Sequence, residues 1–167
     1  MPGRCEAELK TLVTTFALIG ATTLTGSLAK ARPCEVDDFK KFTGNYQKSF
    51  AICSGIKGLP WCQNWKEIGG GRLEIAANKP TLGLFLDSKK IVVPGRKDNR
   101  LYAFRSADKN VDCSDDGLKR IVSHKTTGSE ASLVLDGEFI KFKHRFEIKV
   151  PGGVKFIERE VGLLPLK

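Results

Sequence analysis

An all-β fold, an antiparallel up-and-down barrel of eight or nine strands, is what this sequence predicts, with a two-sheet sandwich as the alternative. Three observations point there. Short segments of alternating apolar and polar residues recur from Asn45 to Glu160, separated by Gly, Pro and Asp. One of them, residues 138–150, alternates almost without fault, and only one short helical stretch precedes the series. A meander closed into a barrel has no edges, whereas a sandwich must protect them, so the barrel is preferred.

Taken in order, the N-terminal segment reads as a targeting signal. Thr11–Ala29, TLVTTFALIGATTLTGSLA, carries no charge, follows Arg4 and Lys10, and runs into the small-x-small pattern Ala29-Lys30-Ala31. Its six Thr make it a weak permanent membrane span. Residues 1–31 are therefore expected to be a signal peptide and residues 32–167 a single β-barrel domain. A buried N-terminal helix is the alternative, since Glu6 and Glu8 leave the charged region nearly neutral.

Cysteine usage agrees with export. Cleavage would remove Cys5 and leave Cys34, Cys53, Cys62 and Cys113, an even number suited to disulfides in an oxidising compartment, periplasmic or secreted. Three pairings are possible, and Cys53 with Cys62 is the simplest. None of the four forms a CxxC pair and His124 and His144 lie far off, so neither metal nor cofactor is expected. The whole chain carries a formal charge of +9. Loss of Arg4, Lys10, Lys30, Glu6 and Glu8 would leave 25 basic and 17 acidic residues, a charge of +8. Partners are then more naturally anionic than cationic.

Within the domain, Val36, Phe39 and Phe42 have helical spacing, with Asp37 and Asp38 early and Lys40 and Lys41 late, which suits the helix dipole. Strands are predicted at Asn45–Cys53, Arg72–Ala77, Thr81–Asp87, Lys89–Val93, Arg100–Ser106, Leu118–Lys125, Ala131–Leu135, residues 138–150 and Val154–Glu160. Cys113 falls in a polar loop. Residues 53–71 hold both tryptophans between Gly and Pro residues and read as a long loop, with Gly69–Gly71 as a hinge or bulge. Asp136-Gly137 predicts a tight hairpin pairing Val134 with Phe139 and Leu133 with Ile140. The long strand, about 40 Å at full extension, should coil or bend at a bulge.

Phe42-Thr43-Gly44-Asn45-Tyr46, a helical turn running into Gly-x-aromatic at the first strand, resembles the start of the lipocalin and wider calycin barrels, whose pattern is Gly-x-Trp. The resemblance implies a lipocalin-like barrel, with residues 53–71 as a lid over its open end. It also implies a late-strand arginine, Arg145 or Arg159, over the aromatic ring of Tyr46. Tyr replaces Trp here, and no Thr-Asp-Tyr motif follows.

No catalytic motif is present, and paired cysteines would leave no free nucleophile, so the chain is not expected to be an enzyme. An exported binding protein is the expectation, carrying or sensing a small lipophilic ligand in a cavity lined by Tyr46, Leu84, Phe104, Phe142, His144 and Phe146 under Trp61 and Trp65. The alternative is a periplasmic or secreted inhibitor or interaction module. It would use the tryptophan loop, or the basic ridge of Lys141, Lys143, Arg145 and Lys149, against an acidic protein or an anionic lipid surface. No nucleic-acid partner and no stable span after processing are expected. His144 interrupts the apolar face of the long strand. If Pro151-Gly152-Gly153 pairs Val150 with Val154, His144 stands opposite Glu160; a bulge would instead turn Ile157 and Val161 inward and leave His144 at the rim. Trp61 and Trp65 either plug the barrel end or face a partner.

Overall fold

Period-two alternation puts every second side chain on one face, and the chain converts that pattern into a single sheet. The computed structural model describes residues 29–56, 62, 65–76, 79–88 and 98–167. Their elements are β1 (Arg32–Pro33), α1 (Val36–Lys40), β2 (Gly44–Ser54), β3 (Gly70–Ile75), β4 (Thr81–Asp87), β5 (Arg100–Arg105), β6 (Val111–Asp115), β7 (Lys119–Thr126), β8 (Ser129–Asp136), β9 (Phe139–Val150) and β10 (Gly153–Pro165). A 3₁₀ turn, Trp65–Glu67, lies between β2 and β3. All ten strands form one antiparallel sheet in the order β1-β6-β7-β8-β9-β10-β2-β3-β4-β5. The last strand returns to pair with β2, and the sheet curls strongly into a half-barrel. Its edges are β5 and the short β1 that lies outside β6, and these edges bound a seam across which β5 and β6, consecutive in sequence, are joined by no ladder.

The eight or nine strands expected become ten among the described residues. The polar loop expected around Cys113 is β6, whose inward residues Val111 and Cys113 are buried although the run VDCSD looks polar. The expected signal segment, over residues 1–28, and the expected strand Lys89–Val93 lie outside the described residues. No helix among the described residues is long and apolar enough to cross a membrane.

Two hairpin turns set the register. At the first, Asp136 pairs with Phe139 and Leu135 with Ile140, with Gly137 at φ +60°. This is two residues from the expected pairing, and a slip of two keeps every side chain on its face. At the second, Gly153 pairs with Val150, so Pro151-Gly152 is a two-residue turn with Gly152 at φ +94°. Pro followed by Gly with positive φ is the type II pattern. This register differs by one from the pairing of Val150 with Val154, and a slip of one exchanges faces. Arg159, not Glu160, therefore stands opposite His144, and Ile157 and Val161 turn inward without a bulge in β9 or β10. The bulge sits in β2, between Phe50 opposite Gly162 and Lys48 opposite Leu163.

The register stacks inward residues in rows. Cys113, Val122, Leu133, Phe142, Val161 and Ala51 follow one another across six strands as an apolar row. Beyond it, Leu135, Ile140 and Leu163 continue the core toward α1, whose Phe39 packs with Phe42 and Tyr46. The Tyr46 hydroxyl donates to the Phe42 carbonyl at 2.6 Å, and burial raises its pKa above the usual tyrosine value. Leu82, Leu84 and Leu86 of β4 are all buried, as their alternation predicts.

Covalent and ionic clamps hold the segment before β2 and the end of β2 itself. Cys34 bonds Cys113, and Cys53 bonds Cys62, the pairing that the sequence favours. Arg32 grips Asp38 through two bonds of 2.8 and 2.7 Å, and the same carboxylate accepts from the Glu35 N–H at 2.8 Å. Gly70 and Gly71 are strand residues, not a hinge. A Cβ on Gly70 would collide with the Tyr46 carbonyl, and one on Gly71 would lie 2.9 Å from the Phe85 carbonyl.

Gly70→Ala should therefore destabilise the protein by about 1–3 kcal/mol, the usual penalty of overpacking against an immobile group, as measured by denaturant unfolding. A second test uses pH. Asp115 is pulled from the ordinary 3.8 to about 2, first by the Gly117 N–H and then by Lys41 and Arg120. A depressed carboxylate contributes stability that is complete above its unfolded pKa and lost as pH falls through the folded one. The stability gap between wild type and Asp115→Asn should be widest near neutrality and fade as pH falls from about 4 toward 2.

Candidate functional site

One row above the apolar row, the same register produces different chemistry. Val111, His124, Ala131, His144, Arg159 and Cys53 are successive cross-strand partners from β6 through β10 to β2. The row contains two imidazoles and a guanidinium, and no acidic residue. Ala131 is the small member between the two histidines, and Tyr102 of β5 packs beside them. Its ring meets His144 edge-on at 4.7 Å and Phe142 at 5.7 Å between centroids. Its hydroxyl lies 2.9 Å from His124 Nδ1. Because β5 and β7 belong to opposite sides of the seam, this hydrogen bond ties together two strands that no ladder joins.

His144 is held from two further directions. Its Nε2 lies 3.1 Å from Ser129 Oγ, and its ring stacks on Phe146 at 4.8 Å with a 27° interplanar angle. Arg159 is 7% exposed. Its guanidinium sits 4.8 Å from the Phe146 ring and 5.7 Å from Trp65. Guanidinium over aromatic faces is a favourable arrangement for a cation withdrawn from water.

The tryptophan loop explains how Trp65 arrives there. β3 pairs with β2 only over Gly44–Gln47, yet β2 continues to Ser54. The described part of the loop follows the flank that β3 leaves. Lys48 binds it twice, through its N–H to the Gly69 carbonyl at 3.3 Å and through Nζ to the Lys66 carbonyl at 2.6 Å. The Cys53–Cys62 disulfide ties its middle to the end of β2. Trp65 is only 4% exposed and joins the core, so it points inward. Trp61 lies outside the described residues.

The expected cavity-lining residues thus divide. Leu84, Phe104 and Phe142 are fully buried core. Tyr46 belongs to the α1 end, and neither arginine covers its ring as the lipocalin pattern implies: Arg159 faces Phe146 and Trp65, and Arg145 lies on the outer face, 4.0 Å from Phe156. Trp65, His144 and Phe146 do converge, with Arg159, Tyr102, His124 and Ser129 completing the cluster. These four are missed as a group because their meeting is non-local: Arg159 arrives through the β9–β10 register, Ser129 through β8–β9, and Tyr102 meets His124 across the seam. The available signal is the Pro-Gly pair, which fits a two-residue turn.

The basic ridge points outward, and half of it is neutralised. Lys141 pairs with Glu160 and Arg145 with Glu158 at 3.7 Å, whereas Lys143 and Lys149 have no ion pair among the described residues. Beside the ridge, Arg145, Lys125, Glu130, Glu147 and Phe156 line an outer groove of about 250 Å³. Two cations and two carboxylates give it no preferred sign, in contrast to the inward row. Among the described residues no three His, Cys, Asp or Glu side chains gather as metal ligands.

The chain matches no protein-family model, no curated protein and no solved structure.

Removal of the seam bond in Tyr102→Phe should cost about 0.5–1.5 kcal/mol, the net contribution of one hydrogen bond. Urea unfolding measures it, and His124→Phe in the Tyr102→Phe background should add less than it does alone.

Proposed function

We propose that the chain is an exported, non-enzymatic binding protein of lipocalin-like habit, which holds a small lipophilic ligand with an anionic head group inside the curled sheet. The observation that carries this reading is the inward row that places Arg159 between His144 and Cys53, withdrawn from solvent beside the rings of Phe146 and Trp65. A cation in such a place favours a ligand that brings negative charge and hydrogen-bond acceptors. His144, Tyr102 and Ser129 offer further polar atoms within the same cluster. Above the row, Phe146, Ile148 and Val150 alternate along β9 and are only half buried, which supplies an apolar approach for a hydrocarbon tail. Two disulfides, typical of extracellular or periplasmic proteins, support export. An inhibitor built on the tryptophan loop is less well served, because Trp65 is buried.

The test is a fluorescence titration of the protein with a long-chain carboxylic acid and with the alcohol of equal length. A charge-assisted contact contributes about 1.5–3 kcal/mol, so the acid should bind about 10- to 100-fold more tightly. Arg159→Met should abolish that preference while the alcohol's affinity stays the same. Failure of both ligands to bind, or an Arg159→Met variant that still prefers the acid, contradicts the reading.

A further inference from the structure

The hairpin of β9 and β10 outruns its neighbours. β8 ends its pairing at Ser129 opposite Phe146, and β2 ends at Ser54 opposite Glu158. Among the described residues no third strand then pairs with Glu147–Phe156, Ile148–Lys155, Lys149–Val154 or Val150–Gly153. Four such pairs extend about 13 Å at the usual strand rise. Val154 is 53% and Phe156 43% exposed, among the largest apolar exposures of the described residues.

Direct partners share a face of the ribbon. One face therefore carries Lys149 with Val154 and Phe156, and the other carries Lys155 with Ile148 and Val150. Each face combines exposed or half-buried apolar side chains with one lysine, and Val150-Pro151-Gly152-Gly153-Val154 at the tip is uncharged. Lys149 and Lys155 have no ion pair among the described residues. The ribbon's one acid, Glu147, lies at its base, where its N–H donates to the Gly128 carbonyl at 2.7 Å.

We propose that this ribbon docks the protein on an anionic lipid surface, with Val150, Pro151 and Val154 entering the headgroup layer and Lys149 and Lys155 meeting phosphates behind them. The two-sided chemistry favours lipid over a protein groove, because a lipid layer surrounds what enters it whereas a groove reads one face. Lysine stems lie along apolar surface while their ammonium groups reach back to the charged layer. Among the described residues the ribbon's flanks pair with no further strand, which keeps the docking in the hydrated headgroup zone and out of the hydrocarbon. The ribbon shares Val150 with the apolar approach to the proposed ligand, but sedimentation with vesicles free of fatty acid reads the docking alone, so the two readings fail separately.

Co-sedimentation of the full chain with phosphatidylcholine vesicles, with and without phosphatidylglycerol, tests it. Binding should require phosphatidylglycerol and weaken as salt rises. Lys149→Glu/Lys155→Glu and, separately, Val150→Asp/Val154→Asp should each reduce it about tenfold or more. Lys119→Glu, the same type of substitution at one site beside Asp136 at the other end of the sheet, should leave it unchanged. Circular dichroism of each variant reports retained sheet. Absence of sedimentation with anionic vesicles, or ribbon variants that bind as wild type does, overturns the proposal. Recognition of a soluble protein through the ribbon without lipid binding would overturn it as well.

Discussion

The register between β9 and β10 is the constraint on which the interior depends. These strands share eleven cross-strand pairs and lie in the middle of the sheet, so their alignment decides what faces inward on either side. A slip of one residue would bring Glu158 and Glu160 inward and expel Ile157, Arg159 and Val161. Two carboxylates would then replace two apolar side chains in the core, a change far more costly than any single contact in the molecule. The two-residue Pro151-Gly152 turn and the apolar burial of Ile157 and Val161 select the same alignment. Arg159 is brought inside as a consequence of that selection, and its cost is moderated by the rings of Phe146 and Trp65.

Once Arg159 faces inward, the neighbouring features fall into relation. Ala131 leaves space between His124 and His144, Tyr102 packs against both imidazoles, and its hydroxyl bridges the seam where the sheet has no ladder. The tryptophan loop is needed because β3 leaves β2 after four pairs, exposing a flank that Trp65 and the Cys53–Cys62 tether cover. Stability and candidate function are thus drawn from the same side chains. The α1 end, by contrast, is an apolar and ionic clamp of Phe39, Phe42, Tyr46 and the Arg32–Asp38 pair, with no comparable polar interior among the described residues.

Much of this was legible in the residues. Alternation located β4, β5, β7, β8 and β9 to within a few positions, and the leucines of Thr81–Asp87 are buried as their spacing requires. Two kinds of information were not local. β6 escaped because Val111 and Cys113 are its entire apolar signal, and a disulfide plus pairing to β7 does the rest. The site escaped because a hairpin register is a count of turn residues, and an error of one residue inverts a face while an error of two, as at Asp136-Gly137, changes nothing about what is buried. The expected antiparallel β fold is present as a strongly curled half-barrel, but the arginine expected over Tyr46 lies with Trp65 instead.

The interior of the sheet therefore depends on Arg159 being the inward partner of His144. Cross-strand proton contacts in isotope-edited NMR spectra measure this directly, since the backbone of each residue in an antiparallel pair lies close to that of its true partner. The register described here predicts contacts linking His144 with Arg159, Phe146 with Ile157 and Phe142 with Val161. Contacts linking His144 with Glu160 and Phe146 with Glu158 would place carboxylates in the interior and contradict the account.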